Sequence, residues 1–142
     1  MIAKTDGNAI VSLDFMDTTS ILDNSDHPIL HQLEKELEEY FAGERTSFSV
    51  PLNPIGTPFQ TSVWETLLTI PYGKTISYAE EAERFGNPKA TRAVANANGK
   101  NPIAILIPCH RVIASGGGLG GYSGGLWRKE FLLRLESEKS SR

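Results

Sequence analysis

Over the first fifteen residues the apolar positions Val11, Leu13 and Phe15 alternate with polar ones, the period of a half-buried strand. Met1–Thr5 precedes them across an Asp6–Gly7 turn signal, which predicts a hairpin between the two segments. From Pro28 to Phe41 the period lengthens to that of a helix. Leu30, Leu33, Leu37 and Tyr40/Phe41 fall on one stripe, and Glu34, Glu36, Glu38 and Glu39 are expected in water. Phe48, Val50 and Leu52 return to alternation and predict a third short strand.

Asn53–Pro54–Ile55–Gly56–Thr57–Pro58 is rich in turn formers and marks the best boundary in the chain. It divides an N-terminal αβ support lobe, residues 1–52, from a second domain, residues 53–142. Thr57 caps a helix opened by Pro58, with Val63, Trp64, Leu67 and Leu68 as its buried stripe, and Pro71–Tyr72–Gly73 ends it. Ser77–Tyr78–Ala79–Glu80 has the form of a capping box for a helix that Gly86 closes. Asn87 and Pro88 start another helix, with Gly99 standing past its end. Two helices joined by so tight a turn read either as a helix-turn-helix or as a hairpin used only for packing. In the second, Lys89, Arg92 and Asn96 share one face and Ala90, Ala93, Val94 and Ala97 the other. The expected fold class is α/β (α+β): a small strand/helix lobe followed by a mostly helical domain.

Ile103–Ile107 is a buried-strand candidate that runs straight into Pro108–Cys109–His110–Arg111. A cysteine at such a place is commonly an inert core residue. The adjacent His110 and Arg111 favour a thiolate, and the proline breaks regular structure where a side chain could enter a cleft. Residues 116–125 hold seven glycines, suiting either a flexible loop or a pocket wall that a flat ligand approaches closely. The last helix, from Leu126 to about Glu138, puts Glu136 on an apolar face after Leu132 and Leu133. A buried carboxylate requires a partner. It is either half of a structural ion pair or the group that orients a catalytic histidine.

Composition narrows the chemistry. The 142 residues contain one cysteine and three histidines, His27, His31 and His110, so no internal disulfide and no zinc set is expected. No signal peptide is apparent and no apolar run approaches bilayer length, which points to a reducing cytoplasm. The net charge of −3 argues against a polyanionic partner, but its distribution does not. Residues 1–88 carry 5 Lys/Arg and 14 Asp/Glu, whereas residues 89–142 carry 9 and 3. A basic second part fits a chain that meets nucleic acid on one side; an unevenly charged solvated surface is the alternative.

Together these blocks resemble the O6-alkylguanine-DNA alkyltransferase family. The likeness runs from about Gly56 to Glu136. It is carried by Gly56–Thr57–Pro58–Phe59–Gln60, Ile70–Pro71–Tyr72–Gly73–Lys74–Thr75, Ser77–Tyr78, Gly86–Asn87–Pro88–Lys89–Ala90, Arg92–Ala93–Val94, Asn101–Pro102, Ile107–Pro108–Cys109–His110–Arg111–Val112 and Gly121–Tyr122–Ser123–Gly124–Gly125–Leu126. The resemblance implies single-turnover repair of double-stranded DNA containing O6-alkylguanine, with Cys109 as the alkyl acceptor. It implies that His110 takes the thiol proton through a water and is oriented by Glu136, that Tyr78 donates to guanine N3, and that Asn101 braces the active-site turn. It also implies that the carbonyls of Cys109 and Val112 hold the guanine amino group and that the Ser123 amide meets O6, beside Tyr122 in the substrate pocket. Arg92 would fill the gap left by a flipped nucleotide, from a helix whose Lys89, Ala90 and Asn96 belong to the DNA-binding set. No cofactor, metal or membrane is implied, and the protein is expected to act as a monomer.

Gly121 and Trp127 fall at variable positions that bear on which alkyl groups fit, and Glu80, Glu81 and Glu83 are expected to lie away from phosphates. Three rival readings carry specific objections. A non-catalytic alkyltransferase-like protein would have another residue at 109. A methylation-sensing regulator would bring a further DNA-binding domain. A thiol hydrolase would use Cys109 and His110 but not the remaining blocks.

Overall fold

The computed structural model describes residues 1–15 and 27–140. Ile2–Thr5 (β1) and Ile10–Asp14 (β2) form the expected antiparallel hairpin. Asp6 holds its turn, with Oδ1 accepting from the amides of Asn8 at 2.8 Å and Ala9 at 2.9 Å. A register shift between Lys4 and Thr5 breaks strict alternation on β2. The fully buried positions are therefore Ile10 and Leu13, while Val11 and Phe15 are only half-buried.

The third strand expected at Phe48, Val50 and Leu52 does not form. Only Leu52 reaches β2, in a single parallel bridge to Ile10. The explanation lies in the helix Pro28–Phe41 (α1). Glu36, expected in water, is 2% exposed, and its Oε1 accepts from the amides of Ser49 at 2.8 Å and Val50 at 3.2 Å. Those donors are thus lost to a ladder, and Pro51 offers none. The buried face of α1 is Leu33, Glu36 and Tyr40, with Phe41 on the exposed side.

Pro58–Leu67 (α2) starts with a complete capping box: Gln60 N donates to Thr57 Oγ1 at 3.1 Å and Thr57 N donates to Gln60 Oε1 at 3.0 Å. Val63, Trp64 and Leu67 are buried, but Leu68, beyond the last helical turn, is exposed. Ile76–Ser77 (β3) pairs in parallel with Val112–Ile113 (β4) and leads directly into Tyr78–Phe85 (α3). The expected box at Ser77 is only half made. Ser77 Oγ accepts from Glu80 N at 3.1 Å, but the Glu80 carboxylate turns to Arg84 at 3.0 Å. Gly86, at φ +102°, closes α3 in the left-handed conformation.

The helix expected from Asn87 divides in two. Asn87 caps a 3₁₀ turn, Pro88–Ala90, through Lys89 N, and the α-helix proper is Thr91–Gly99 (α4) with Gly99 inside its end. Trp64 Nε1 donates to Ala97 O at 2.9 Å and locks α4 to α2. Val94 and Ala97 are buried as expected, whereas Ala93 is exposed and Asn98 is buried.

The apolar run Ile103–Ile107 is buried, yet it is a turn and not a strand. Ile103 makes one parallel bridge to Leu13; Ile107 N then returns to Ile103 O at 3.1 Å and Leu106 N to Ala104 O at 2.8 Å. Ile105 sits at φ +70°, a conformation unfavourable for a β-branched residue. Pro102 and Pro108 bracket the run and deny it continuous ladder donors. Leu126–Ser140 (α5) completes the chain, and its Leu132 joins Ile10, Leu13, Leu33, Trp64 and Ile107 in one core linking the N-terminal elements to the helices. Among the described residues no helix is long and apolar enough to cross a membrane.

Candidate active site

Cys109 opens a 3₁₀ turn, Cys109–Arg111, between the buried turn and β4. Asn101 spans this junction: its Nδ2 donates to Ile107 O at 2.8 Å and to Cys109 Sγ at 3.3 Å, and its Oδ1 accepts from Ile103 N at 3.0 Å. Burial raises the thiol pKa, while Asn101 and Lys129 act in the opposite direction. Cys109 is partly exposed to two clefts. One, of about 870 Å³, is lined by Tyr78, Lys89, Arg92, Asn96, Tyr122 and Ser123. The other, of about 580 Å³, runs past Asp14, Phe15, Asn101 and Arg128. The structure therefore gathers Tyr78, Lys89, Arg92, Asn96, Tyr122 and Ser123 around the thiol. Ala90 is half-buried in the 3₁₀ turn that precedes α4.

His110 turns inward, away from those clefts. Its ring is fully buried, with Nε2 at 2.7 Å from Glu136 Oε2 and Nδ1 without a partner among the described residues. Burial lowers the histidine pKa against the opposing pull of Glu136, so the neutral ring is favoured. Arg111, expected from its place beside Cys109 to favour a thiolate, has its guanidinium engaged elsewhere. Its guanidinium grips Glu136 from Nε at 2.8 Å and Nη2 at 3.1 Å, and Nη1 donates to Ile70 O at 2.7 Å. Tyr40 of α1 adds its hydroxyl at 2.6 Å from Oε2. Burial alone would push the Glu136 carboxyl up, but His110 and Arg111 hold it down at about 2. Glu136 is thus the ion-pair partner of Arg111 and also contacts His110.

Tyr78, at the start of α3, meets the glycine-rich segment, where Gly121 N donates to its hydroxyl at 3.2 Å. A Cβ at Gly120, itself at φ +72°, would fall 2.6 Å from that hydroxyl oxygen, so the approach requires glycine. Beneath it lies Lys129, fully buried, whose ammonium donates to Val112 O at 2.7 Å, Gly121 O at 3.1 Å and Leu119 O. All three of its protons are used to tie the glycine segment to β4.

Sequence reasoning missed the polar partners supplied by Tyr40, Lys129, Glu81 and Asn98. A signal existed for two of them. Lys129 precedes Leu132 and Glu136 by three and seven residues, and Glu81 lies three residues after Tyr78 and four before Phe85, so each falls on a buried helical stripe.

Known proteins resemble this chain in sequence and in fold. A family model described as 6-O-methylguanine DNA methyltransferase, DNA binding domain, matches residues 58–138, and the ribonuclease-like domain of the same family matches residues 1–54. The methylated-DNA–protein-cysteine methyltransferase of Methanosarcina acetivorans is 59% identical over 105 residues, covering 74% of this chain and 67% of that protein. The constitutive enzyme of Bacillus subtilis is 47% identical over 127 residues, covering 87% and 77%. The chain thus spans about two thirds to three quarters of the length of these relatives. The structure of Mycobacterium tuberculosis OGT in complex with DNA superposes with a TM-score of 0.87 at 47% identity, over 96% of this chain and 86% of that one. By sequence and by fold, the chain belongs to the 6-O-methylguanine DNA methyltransferase family.

Proposed function

We propose that this protein repairs O6-alkylguanine in duplex DNA by transferring the alkyl group to Cys109, once and irreversibly. The observation that carries the reading is the placement of the chain's only thiol on the wall of a cleft, next in sequence to a buried histidine bonded to Glu136. The names of its relatives supply the substrate class. In the transfer, the Cys109 sulfur forms a bond to the alkyl carbon, the bond from that carbon to O6 breaks, and guanine leaves with the electron pair. The thiol proton passes towards His110 and the departing base is protonated in turn, so no external oxidant or reductant is required. Nδ1 of His110 is the open nitrogen able to take that proton through a water. Tyr78, whose hydroxyl stands at the cleft, is the proposed donor to guanine N3, and Asn101 fixes the turn that aims the sulfur.

The base must leave the stack to reach this cleft. In the proposed complex, Arg92 on the exposed face of α4 occupies the vacated place, with Lys89, Ala90 and Asn96 alongside it. The Cys109 carbonyl, the Ser123 amide and the Tyr122 ring form the proposed base pocket, whereas the fully buried Val112 carbonyl, which the resemblance gives to the guanine amino group, already accepts from Lys129 at 2.7 Å. We assign residues 1–52 to support and 53–142 to DNA binding and transfer, with α3, the turn and α4 acting as a helix-turn-helix in a cytoplasmic monomer.

The test is a mass measurement after one incubation with an O6-methylguanine duplex. One methylene mass on Cys109 per protein is expected, whereas no gain, or repeated turnover, contradicts the reading. A second prediction concerns the wedge. Arg92→Ala should slow repair of duplex substrate by about ten- to a hundredfold while altering attack on the free base much less. Equal losses on both substrates would remove Arg92 from that role.

A further inference from the structure

Beneath the DNA-facing side of α3 and α4 lies a polar pair that the transfer reaction does not use. Glu81 of α3 is fully buried and Asn98 of α4 is 7% exposed. Asn98 Nδ2 donates to Glu81 Oε1 at 2.7 Å, the bond that joins their side chains. The remaining oxygen of each group, Glu81 Oε2 and Asn98 Oδ1, is buried without a partner among the described residues. Both are acceptors if the acid is ionised, and two buried acceptors left open in one pair carry a desolvation cost that nothing offsets. A single proton on Oε2 converts one of them into a donor for the other.

The buried cation next to α3, Lys129 of α5, lies 5.8 Å from the Tyr78 ring and spends its ammonium on the carbonyls of Val112, Leu119 and Gly121. No ion pair to Glu81 is formed among the described residues. Of the charged groups on elements packed against α3, Glu65 of α2, Lys89 of the 3₁₀ turn and Arg92 of α4 are exposed, and β3 and β4 carry none. Two titratable groups do sense Glu81, namely Tyr78 on its own helix and Cys109 across the cleft, and negative charge at Glu81 raises the pKa of both. Asn98 lines the same cleft as Cys109.

We infer that Glu81 is held as a neutral carboxylic acid, donating from Oε2 to Asn98 Oδ1 while accepting from Nδ2. This two-bond pair pins α4 to α3 and keeps negative charge away from the reacting sulfur. Glu81 is thereby a positioning residue for the helix that carries Arg92. Burial, opposed by Asn98, pushes its carboxyl from 4.5 up to about 7, in line with a stored proton. The consequence at the sulfur rests on the repair reading, but the proton itself does not.

The sign of the linkage follows from a native pKa above the unfolded one. The stabilising effect of the pair is complete below about 4.5 and is lost as pH rises through about 7. Glu81→Gln keeps the shape of the neutral acid, and its amide can make both bonds to Asn98. Melting of the two proteins across this pH range should diverge. The folding constant of wild type relative to Glu81→Gln falls by about two orders of magnitude as pH rises from 4.5 to about 7. In the variant the Cys109 thiol should also titrate at lower pH than in wild type, a change that a purely structural role would not produce. Coincident pH profiles would overturn the inference. If Glu81→Gln does not fold, infrared spectra of wild type decide. About one unit below the Glu81 midpoint ordinary carboxyl groups are ionised, so a protonated-carboxyl band that titrates near 7 is expected, and its absence refutes the stored proton. None of these measurements uses DNA, so failure here is distinct from failure of the alkylation test.

Discussion

Cys109→Ser is expected to abolish alkyl transfer, lowering the rate by at least about three orders of magnitude, while the protein stays folded. The chain has no second thiol to substitute for it. A serine oxygen at this position faces the same Asn101 donor, but a hydroxyl ionises far less readily than a thiol and is a poorer nucleophile towards saturated carbon. The oxygen is smaller than sulfur, and the site is open to two clefts, so the fold has room to absorb the change. Melting should therefore shift by only a few degrees. The measurement pairs intact mass after incubation with an O6-methylguanine duplex and a thermal unfolding curve. A methylated serine variant, or unchanged transfer onto another residue, would remove Cys109 from the centre of the reaction.

The route to that cysteine was legible in the sequence to an uneven degree. The caps at Thr57 and Gly86, and the serine half of the box at Ser77, translated directly because they act through bonds within a few residues of themselves. The run Ile103–Ile107 was misread because an apolar pentapeptide satisfies a buried turn as well as a buried strand. What decided the matter was the loss of donors at Pro102 and Pro108 together with a return bond from Ile107 to Ile103. Glu36 shows a second limit. A helix rich in glutamate reads as having one wet face, yet this carboxylate is drawn inward to serve the amides of Ser49 and Val50, more than a dozen residues away. Such demands arise from tertiary structure and leave no periodicity. Tyr40 was legible as apolar but its hydroxyl was not, since its partner Glu136 lies 96 residues distant.

Glu136 is where these long-range demands converge, and its substitution should have the larger effect on stability. The carboxylate takes two bonds from Arg111, one from His110 and one from Tyr40, all in a site with almost no solvent. Glu136→Gln keeps the shape but removes the charge, leaving the Arg111 guanidinium buried against a neutral amide and setting an amide donor or acceptor against His110 Nε2. Breaking one side of a buried pair in this manner costs about 3–5 kcal/mol, enough to lower melting markedly in a chain of this size. The pH dependence gives the sharper signature. Because the native carboxyl is held at about 2, below its unfolded value of 4.5, the pair's contribution is present above about 4.5 and is lost as pH falls towards 2. Wild type should lose about 3 kcal/mol over that window, and Glu136→Gln, which has already lost it, should follow a flatter acid profile. Transfer by the folded fraction should fall by about ten- to a hundredfold at neutral pH, since His110 loses the anion that fixes its ring. Tyr40→Phe removes one neutral donor and leaves both charges in place, so it should cost only about 1 kcal/mol and leave most of the transfer rate. If the folded Glu136→Gln protein instead transfers as fast as wild type, Glu136 serves the ion pair with Arg111 alone and His110 needs no orienting anion.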